Sequence, residues 1–428
     1  MEADRLIIAH GRVVDPSQGI DRVTNLLVER GRIAALDVPL MDDVPRLDAT
    51  DRIVAPGLID MHVELSEPGR EEDETIRSGT AAALAGGFTT VACLPNSDPP
   101  IDTRASVEFV QHQAARAGNC RVVVMACVSR GREGKQLAEI GSLVAAGAVG
   151  FTDADAPIAS TELMRRALEY CLMFDRPVMN HPEVPELSRG GIMHEGLVST
   201  VLGLAAMPAE AEDVMTSRDL RLAEATGGRV HLMNISTAGS VDQIRRAKSR
   251  GIRVTAEVCP QNLALTDECL RSFDSSYKLN PPLRSREHVD ACIAGLVDGT
   301  IDVIASGHAP RAGEKKMQEL DQAPFGMVSL ETALALAIHC LVRPEHLTWL
   351  ELIDKMSTQP ARVLGLDQQG TLRIGVPADI TIIDPHHEWV VQPAQFRSQS
   401  RNTPLAGMTL TGRAQHVLID GQVKWQSS

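Results

Sequence analysis

From residue 57 to residue 306 the chain repeats one pattern: a short apolar run, a helical stretch, then another apolar run. The runs fall at 57–62, 89–94, 121–126, 150–152, 177–181, 229–234, 253–258 and 303–306, with helical periodicity at 75–85, 105–117, 160–174, 218–226 and 241–249. Strands that are apolar on both faces and separated by helices imply a parallel sheet covered on each side. Eight such units in about 250 residues suit a closed (β/α)8 barrel, an α/β fold of the TIM type. A doubly wound nucleotide-binding sheet is disfavoured, because no Gly-x-Gly-x-x-Gly follows the first run. Functional residues are then expected where the strands end.

The flanks have a different texture. Period-two apolarity with Gly and Asp turns marks short strands at 5–9, 11–14, 25–29, 32–36 and 51–55, and again at 379–383, 408–410 and 416–419. Residues 1–55 and 365–428 are therefore expected to join as a small β-sandwich, with residues 56–364 forming the barrel. Aromatics are only 3% of the 428 residues against 43% hydrophobic overall, so the core must be aliphatic.

A formal charge of −14 and the lack of any basic stripe argue against a nucleic-acid partner. No apolar run is long enough for a membrane span, and the acidic Met1-Glu2-Ala3-Asp4-Arg5 start lacks the apolar region of a signal peptide. Eight cysteines occur singly with no Cys-x-x-Cys pair, as expected of reduced, buried thiols in the cytoplasm.

The strand ends offer few groups for chemistry. A hydrolytic metal site needs three or more His, Asp or Glu side chains converging beside an open position for water, whose pKa the metal lowers to about 7. The ends here carry His62 with Glu64, then Asn96, Asp153, His181, Asn234 and Gly307-His308. His62 and Glu64 share a face by alternation, whereas His231 and Asn234 would face opposite sides of a regular strand. A lone histidine at a strand end is more often a hydrogen-bonded packing residue than a ligand. Three further features read as structural. The acidic Glu71-Glu72-Asp73-Glu74 suits a helix N-terminus, Arg130 to Lys135 reads as a solvated turn, and Lys315-Lys316 as a mobile surface loop.

Ordered segments along nearly the whole chain resemble those of class I dihydroorotases of the amidohydrolase superfamily. They include Pro56-Gly57-Leu58-Ile59-Asp60-Met61-His62, Leu94-Pro95-Asn96-Ser97-Asp98, Asn280-Pro281-Pro282-Leu283-Arg284 and Gly307-His308-Ala309-Pro310-Arg311. The resemblance implies a zinc-dependent interconversion of N-carbamoyl-aspartate and dihydroorotate in pyrimidine synthesis. It also exposes losses at the chemistry. The family's His-x-His is His62-Val63-Glu64, its metal-bridging Asp falls at Ala154, a further His ligand at Asn234, and its catalytic Asp at Gly307. Residual metal positions are His62 and His181, joined by Glu64 and Asp153 only if a site is rebuilt. Of the substrate contacts, Asn96 and Asn280 match. The family's carboxylate-binding Arg is replaced by Ser66, so that Arg311 would have to supply a carboxylate fork.

The expectation is thus a cytoplasmic, oligomeric dihydroorotase-like protein with no catalytic residue and no cofactor. Its role would be structural or regulatory toward aspartate carbamoyltransferase, a partner implied by the resemblance alone. The alternative is an active cyclic amidohydrolase with zinc at an altered site. A sensor using only His62 and His181 is a third possibility.

Overall fold

The computed structural model describes residues 5–427, so Met1–Asp4, on which the leader reading partly rests, lie outside it. Strands β1 (Leu58–Val63), β2 (Phe88–Cys93), β3 (Arg121–Ala126), β4 (Ala148–Phe151), β5 (Val178–Asn180), β6 (Val230–Leu232), β7 (Val254–Val258) and β8 (Val303–Ile304) run parallel, each beside the next. The ring closes through His308, which follows β8: its N–H donates to His62 O at 3.2 Å and its carbonyl accepts from Glu64 N at 2.9 Å. The result is a TIM-type barrel.

Alternation along the strands builds two cores. Val91, Cys93, Val124, Ala126, Leu232, Ala256 and Val258 meet the surrounding helices in one continuous cluster. Met61, Met125, Met179 and Met233 form another with Ala92, Leu94, Ala305 and the helical residues Val363 and Leu364. In a chain this poor in aromatics, flexible thioethers fill the irregular interior instead.

The helices start at β-hydroxyl caps: Thr75, Thr103 and Thr237 each accept a backbone N–H of the first turn, opening Ile76–Gly86, Arg104–Ala117 and Ala238–Ser249. Helices Glu210–Thr226 and Arg286–Val297 are longer than, or missing from, the sequence reading. Their apolar faces are diluted by charge, which weakens the periodic signal.

The termini form one eight-stranded sheet. Strand Ile53–Pro56 pairs on one edge with Arg5–Asp15 and on the other, antiparallel, with Ile380–Val390, which continues to Thr409–Ile419 and Gln422–Gln426. Two-residue turns at Arg30-Gly31 and Asp420-Gly421 have positive φ throughout, the geometry of tight hairpins. Among the described residues no helix is long and apolar enough to cross a membrane.

Candidate functional site

The site grows from the end of β1. Asp60 Oδ1 accepts His62 N–H at 3.0 Å and Ser306 N–H at 3.1 Å, tying β1 to β8. Its other oxygen is buried without a partner, and burial pushes the carboxyl pKa up to about 6. The register against β2 shifts between Asp60 and Val63.

His62 does not offer both ring nitrogens to the cavity. Its Nδ1 donates to Glu257 Oε1 at 2.7 Å, and Glu257 Oε2 accepts from His231 Nε2 at 3.2 Å. His231 Nδ1 in turn meets Thr255 Oγ1 at 2.8 Å. Burial alone would raise the Glu257 pKa, but the hydrogen bonds from His231 and His62 outweigh it and hold the carboxyl down to about 2. Burial likewise works against a charged His62, and the Glu257 carboxylate overcomes it, so the imidazole pKa is raised. Sequence reading missed Glu257. Its signal was a single carboxylate inside the apolar run Val254–Val258, which needs a partner when buried.

His231 and Asn234 are not separated as alternation predicts. Asn234 sits at φ +50°, so the chain turns over just after β6. Asn234 borders the cavity, while His231 reaches His62's partner from the adjacent strand face. The Asn234 Oδ1 accepts from Cys259 Sγ at 2.8 Å.

Glu64 and Arg311 form a buried ion pair, with Nη1 at 2.7 Å from Oε2 and Nη2 at 3.4 Å from Oε1. Nη1 also donates to Pro310 O at 2.7 Å. Burial opposes the guanidinium charge, but the Glu64 charge and hydrogen bonds, with Asp155 and Asp73 beyond, raise its pKa above the ordinary arginine value. Arg311 is therefore not the open carboxylate fork expected from sequence. Its cation already has an anion.

The remaining positions complete the wall. Ala154 is fully buried and brings no donor. Asp153 turns away: its carboxylate accepts from Val128 N, Ser129 N and the Ser129 hydroxyl at 2.5–3.0 Å, so it organises a loop and is no candidate ligand. Asp155 borders the cavity and pairs with Arg132 at 2.6 Å. At the end of β5, His181 Nε2 meets Glu183 at 3.2 Å; the same carboxylate accepts from Ser188 and Asn280. Burial would raise Glu183, yet His181, Ser188 and Asn280 bring it down to about 2.

Asn96 does not line the cavity. It lies in the loop after β2, next to the loop holding Ser66, and neither its carboxamide atoms nor Ser66 Oγ has a hydrogen-bond partner. Asn280 does line it. Gly307, at φ +61°, has Cys259 Sγ only 2.5 Å from where a Cβ would stand.

The surface reading of Lys315-Lys316 is corrected, and the acidic run that precedes helix Ile76–Gly86 ends in two buried carboxylates. Asp73 and Glu74 are buried: Asp73 accepts from Ala312 N and Lys315, and Glu74 from Ser398 and Gln399 N, besides meeting His308 Nε2 at 3.4 Å. Lys316 is buried as well, its ammonium on Pro324 O at 2.9 Å. Charge runs look solvated in sequence because their partners, here in the segments 312–324 and 398–399, are distant along the chain.

The amidohydrolase family model matches residues 53–424. The chain belongs to the amidohydrolase family. Among full-length relatives, the putative dihydroorotase of Rhodopirellula baltica is 49% identical over 98% of this chain and 92% of its own. The dihydroorotases of Syntrophus aciditrophicus and Pelotomaculum thermopropionicum are 47% and 49% identical, each over 99% of both chains. Of solved structures, L-hydantoinase (dihydropyrimidinase) from Arthrobacter aurescens superposes with a TM-score of 0.88 at 25% identity, covering 98% of this chain and 95% of that one.

A member of this family with dihydroorotase-like sequence implies zinc at the barrel mouth, and the donor set does not fit it. Among the described residues no three His, Cys, Asp or Glu side chains converge to hold a metal ion. Glu64 is occupied by a guanidinium, Ala154 and Gly307 have no donor atoms, and Asp153 faces away. A tetrahedral centre needs three protein ligands even when one position stays open.

Proposed function

We propose that this dihydroorotase-like protein does not perform metal-dependent ring opening and acts in pyrimidine biosynthesis as a structural or regulatory partner of aspartate carbamoyltransferase. The observation that supports inactivity is the Glu64–Arg311 pair. A cation fixed at 2.7 Å from the would-be ligand opposes a divalent metal both by repulsion and by occupying the carboxylate. The carbamoyltransferase role rests on resemblance, because fold alone does not choose a partner.

A second reading is an active cyclic amidohydrolase that interconverts N-carbamoyl-aspartate and dihydroorotate with zinc at an altered site. Full-length relatives named dihydroorotase at 47–49% identity speak for it more directly than for the first. In that case zinc must displace Arg311 from Glu64 and recruit His62, His181 or Asp155 from their present partners.

Metal analysis and dihydroorotate turnover on one sample of untagged protein, before and after zinc loading, decide between the two. Metal-poor, inert protein that binds purified aspartate carbamoyltransferase agrees with the proposal. Near-stoichiometric zinc with turnover would establish the second reading. Inert protein that neither binds the carbamoyltransferase nor alters its activity removes the partner role.

A further inference from the structure

At the foot of the barrel, opposite the mouth, the surface is cationic although the chain carries −14 overall. Arg229 and Arg253 stand immediately before β6 and β7 and share one exposed carboxylate, Asp175, which lies ahead of β5. Arg229 Nη1 is 3.3 Å from its Oδ2, and Arg253 Nη2 is 2.7 Å from its Oδ1. Arg229 also donates to Val363 O at 2.7 Å, closing the last turn of helix Gln359–Leu364. Arg176 adds a third guanidinium, whose Nε is buried without an acceptor. Three cations around one anion leave a local field that draws negative groups.

Beside this cluster a crevice of ≈ 240 Å³ follows the seam between the barrel and the terminal sheet. Thr358 and Arg362 border it from the barrel side, and Ser17, Thr371 and Arg373 from the sheet side. The backbone of the seam is bonded: Thr358 Oγ1 donates to Gly370 O at 2.8 Å, and Leu372 N to Asp15 Oδ2 at 2.7 Å. The charged groups along it are not. Among the described residues nothing pairs with the Arg362 guanidinium or the Asp367 carboxylate, and Arg373 donates only to Asp367 O, at 3.1 Å. Gln369 Oε1, in the same crevice, is buried with no donor. Exposed charges without partners are ordinary, but a buried carbonyl oxygen without a donor calls for one.

These groups divide by sign. Two guanidinia complement carboxylates, which each can hold through paired N–H bonds. A carboxylate and a carboxamide oxygen beside them complement an ammonium, which has three donors and no acceptor. A plain dicarboxylate would satisfy the arginines, yet bring no donor to Gln369 and face the Asp367 charge. The crevice is smaller than the ~300–1,000 Å³ of drug-sized sites, and it lies at a domain junction, where small-ligand sites concentrate.

We infer that this crevice binds an acidic α-amino acid, with its carboxylates on Arg362 and Arg373 and its ammonium between Asp367 and Gln369. The site is separate from the barrel mouth and holds under either reading of it. A ligand bridging barrel and sheet also ties the two together, so occupancy raises the unfolding midpoint.

The probes are L-aspartate and L-glutamate, each matched with the diacid that lacks its amino group, succinate and glutarate. In calorimetric titration and thermal unfolding of the full chain, at least one amino acid is expected to bind at least tenfold more tightly than its diacid. It should also raise the midpoint as its concentration rises. Binding of neither amino acid, or equal affinity for the diacid, overturns the inference. Inorganic phosphate that binds as tightly and displaces the amino acid would make this a general anion site and overturn the ligand class. Arg362→Gln combined with Arg373→Gln is expected to weaken binding at least tenfold; undiminished affinity places the ligand elsewhere, the mouth included, and overturns the assignment. Asp367→Asn should weaken the amino acid at least fivefold while sparing the diacid. Asp367 is exposed and has no partner to lose, so that variant is expected to keep wild-type circular dichroism. Equal effects on amino acid and diacid overturn the ammonium position.

Discussion

The Arg311 guanidinium is paired with Glu64 at the barrel mouth, an ion pair that joins the loop after β8 to the end of the neighbouring β1, beside the backbone closure made by His308. Both side chains are buried, so the pair is not a surface contact of small worth. Removing one member leaves a desolvated charge. Arg311→Met is expected to destabilise the protein by about 3–5 kcal/mol in urea unfolding. Glu64→Leu combined with Arg311→Met should recover most of that loss, since an apolar pair of similar volume avoids the desolvation cost. If the double variant is as unstable as the single one, the pair is holding the mouth by geometry rather than by charge.

Restoring the carboxylate at 307 is expected to fail for steric reasons. A Cβ there meets Cys259 Sγ at 2.5 Å and Gln261 Nε2 at 3.0 Å, at a backbone φ of +61°. Overpacking and the left-handed backbone together should cost Gly307→Asp about 2–4 kcal/mol, with aspartate among the residues that best tolerate such a φ. Adding Cys259→Ala removes the obstructing sulfur, so the two changes are expected to be non-additive by at least about 1 kcal/mol. Chemical denaturation of the single and double variants measures this coupling; additive costs would place the strain elsewhere.

The barrel was legible because its evidence is local: eight apolar runs at regular spacing name eight strands without any knowledge of contacts. The losses at Glu64, Ala154, Asn234 and Gly307 were legible too, since they stand in segments with recognisable neighbours. What could not be read is pairing across the ring. Glu257 looked like one polar residue in an apolar strand until His62, 195 residues earlier, came to 2.7 Å from it. Arg311 looked like a free fork until Glu64, 247 residues away, took it. Alternation failed at Asn234 because a positive φ is not encoded by period. Each miss comes from a long-range charge partner or from one residue's backbone, neither of which a periodic pattern contains.

Glu74 is expected to act as a fastener between the barrel and the C-terminal segment. It is buried and accepts from Ser398, Ser78 and Gln399 N, with His308 at 3.4 Å. Burial would raise its pKa, but His308 first, then Ser398 and Ser78, keep it lowered, so the group is an anion in the fold. Glu74→Leu strands these donors and should cost about 3–5 kcal/mol. Limited proteolysis should then cut first near 397–403. A variant resistant at that segment would show that other contacts hold the closure.

Acid stability should follow Glu257 and Glu183, opposed by Asp60. The two glutamates have folded pKa values of about 2, below the ordinary value of about 4.3. Between those limits the unfolded chain binds more protons than the folded one, so stability rises with pH. Their contribution is complete above about pH 4.5 and is lost as pH falls toward 2. Asp60 has the opposite sign: its folded pKa of about 6 exceeds the unfolded value of about 3.9. It favours the fold below about pH 4, and that contribution disappears as pH rises through 6. Urea unfolding from pH 2.5 to 7.5 is therefore expected to show a steep acid limb below 4.5 and a shallow decline between 4 and 6. Glu257→Gln should flatten the acid limb while lowering stability at neutral pH, because His62 and His231 lose their shared anion. Asp60→Asn keeps an acceptor for His62 N and Ser306 N and should flatten only the decline between 4 and 6. An acid limb unchanged in Glu257→Gln would mean that the carboxylate between the two imidazoles is not the group whose protonation opens the barrel.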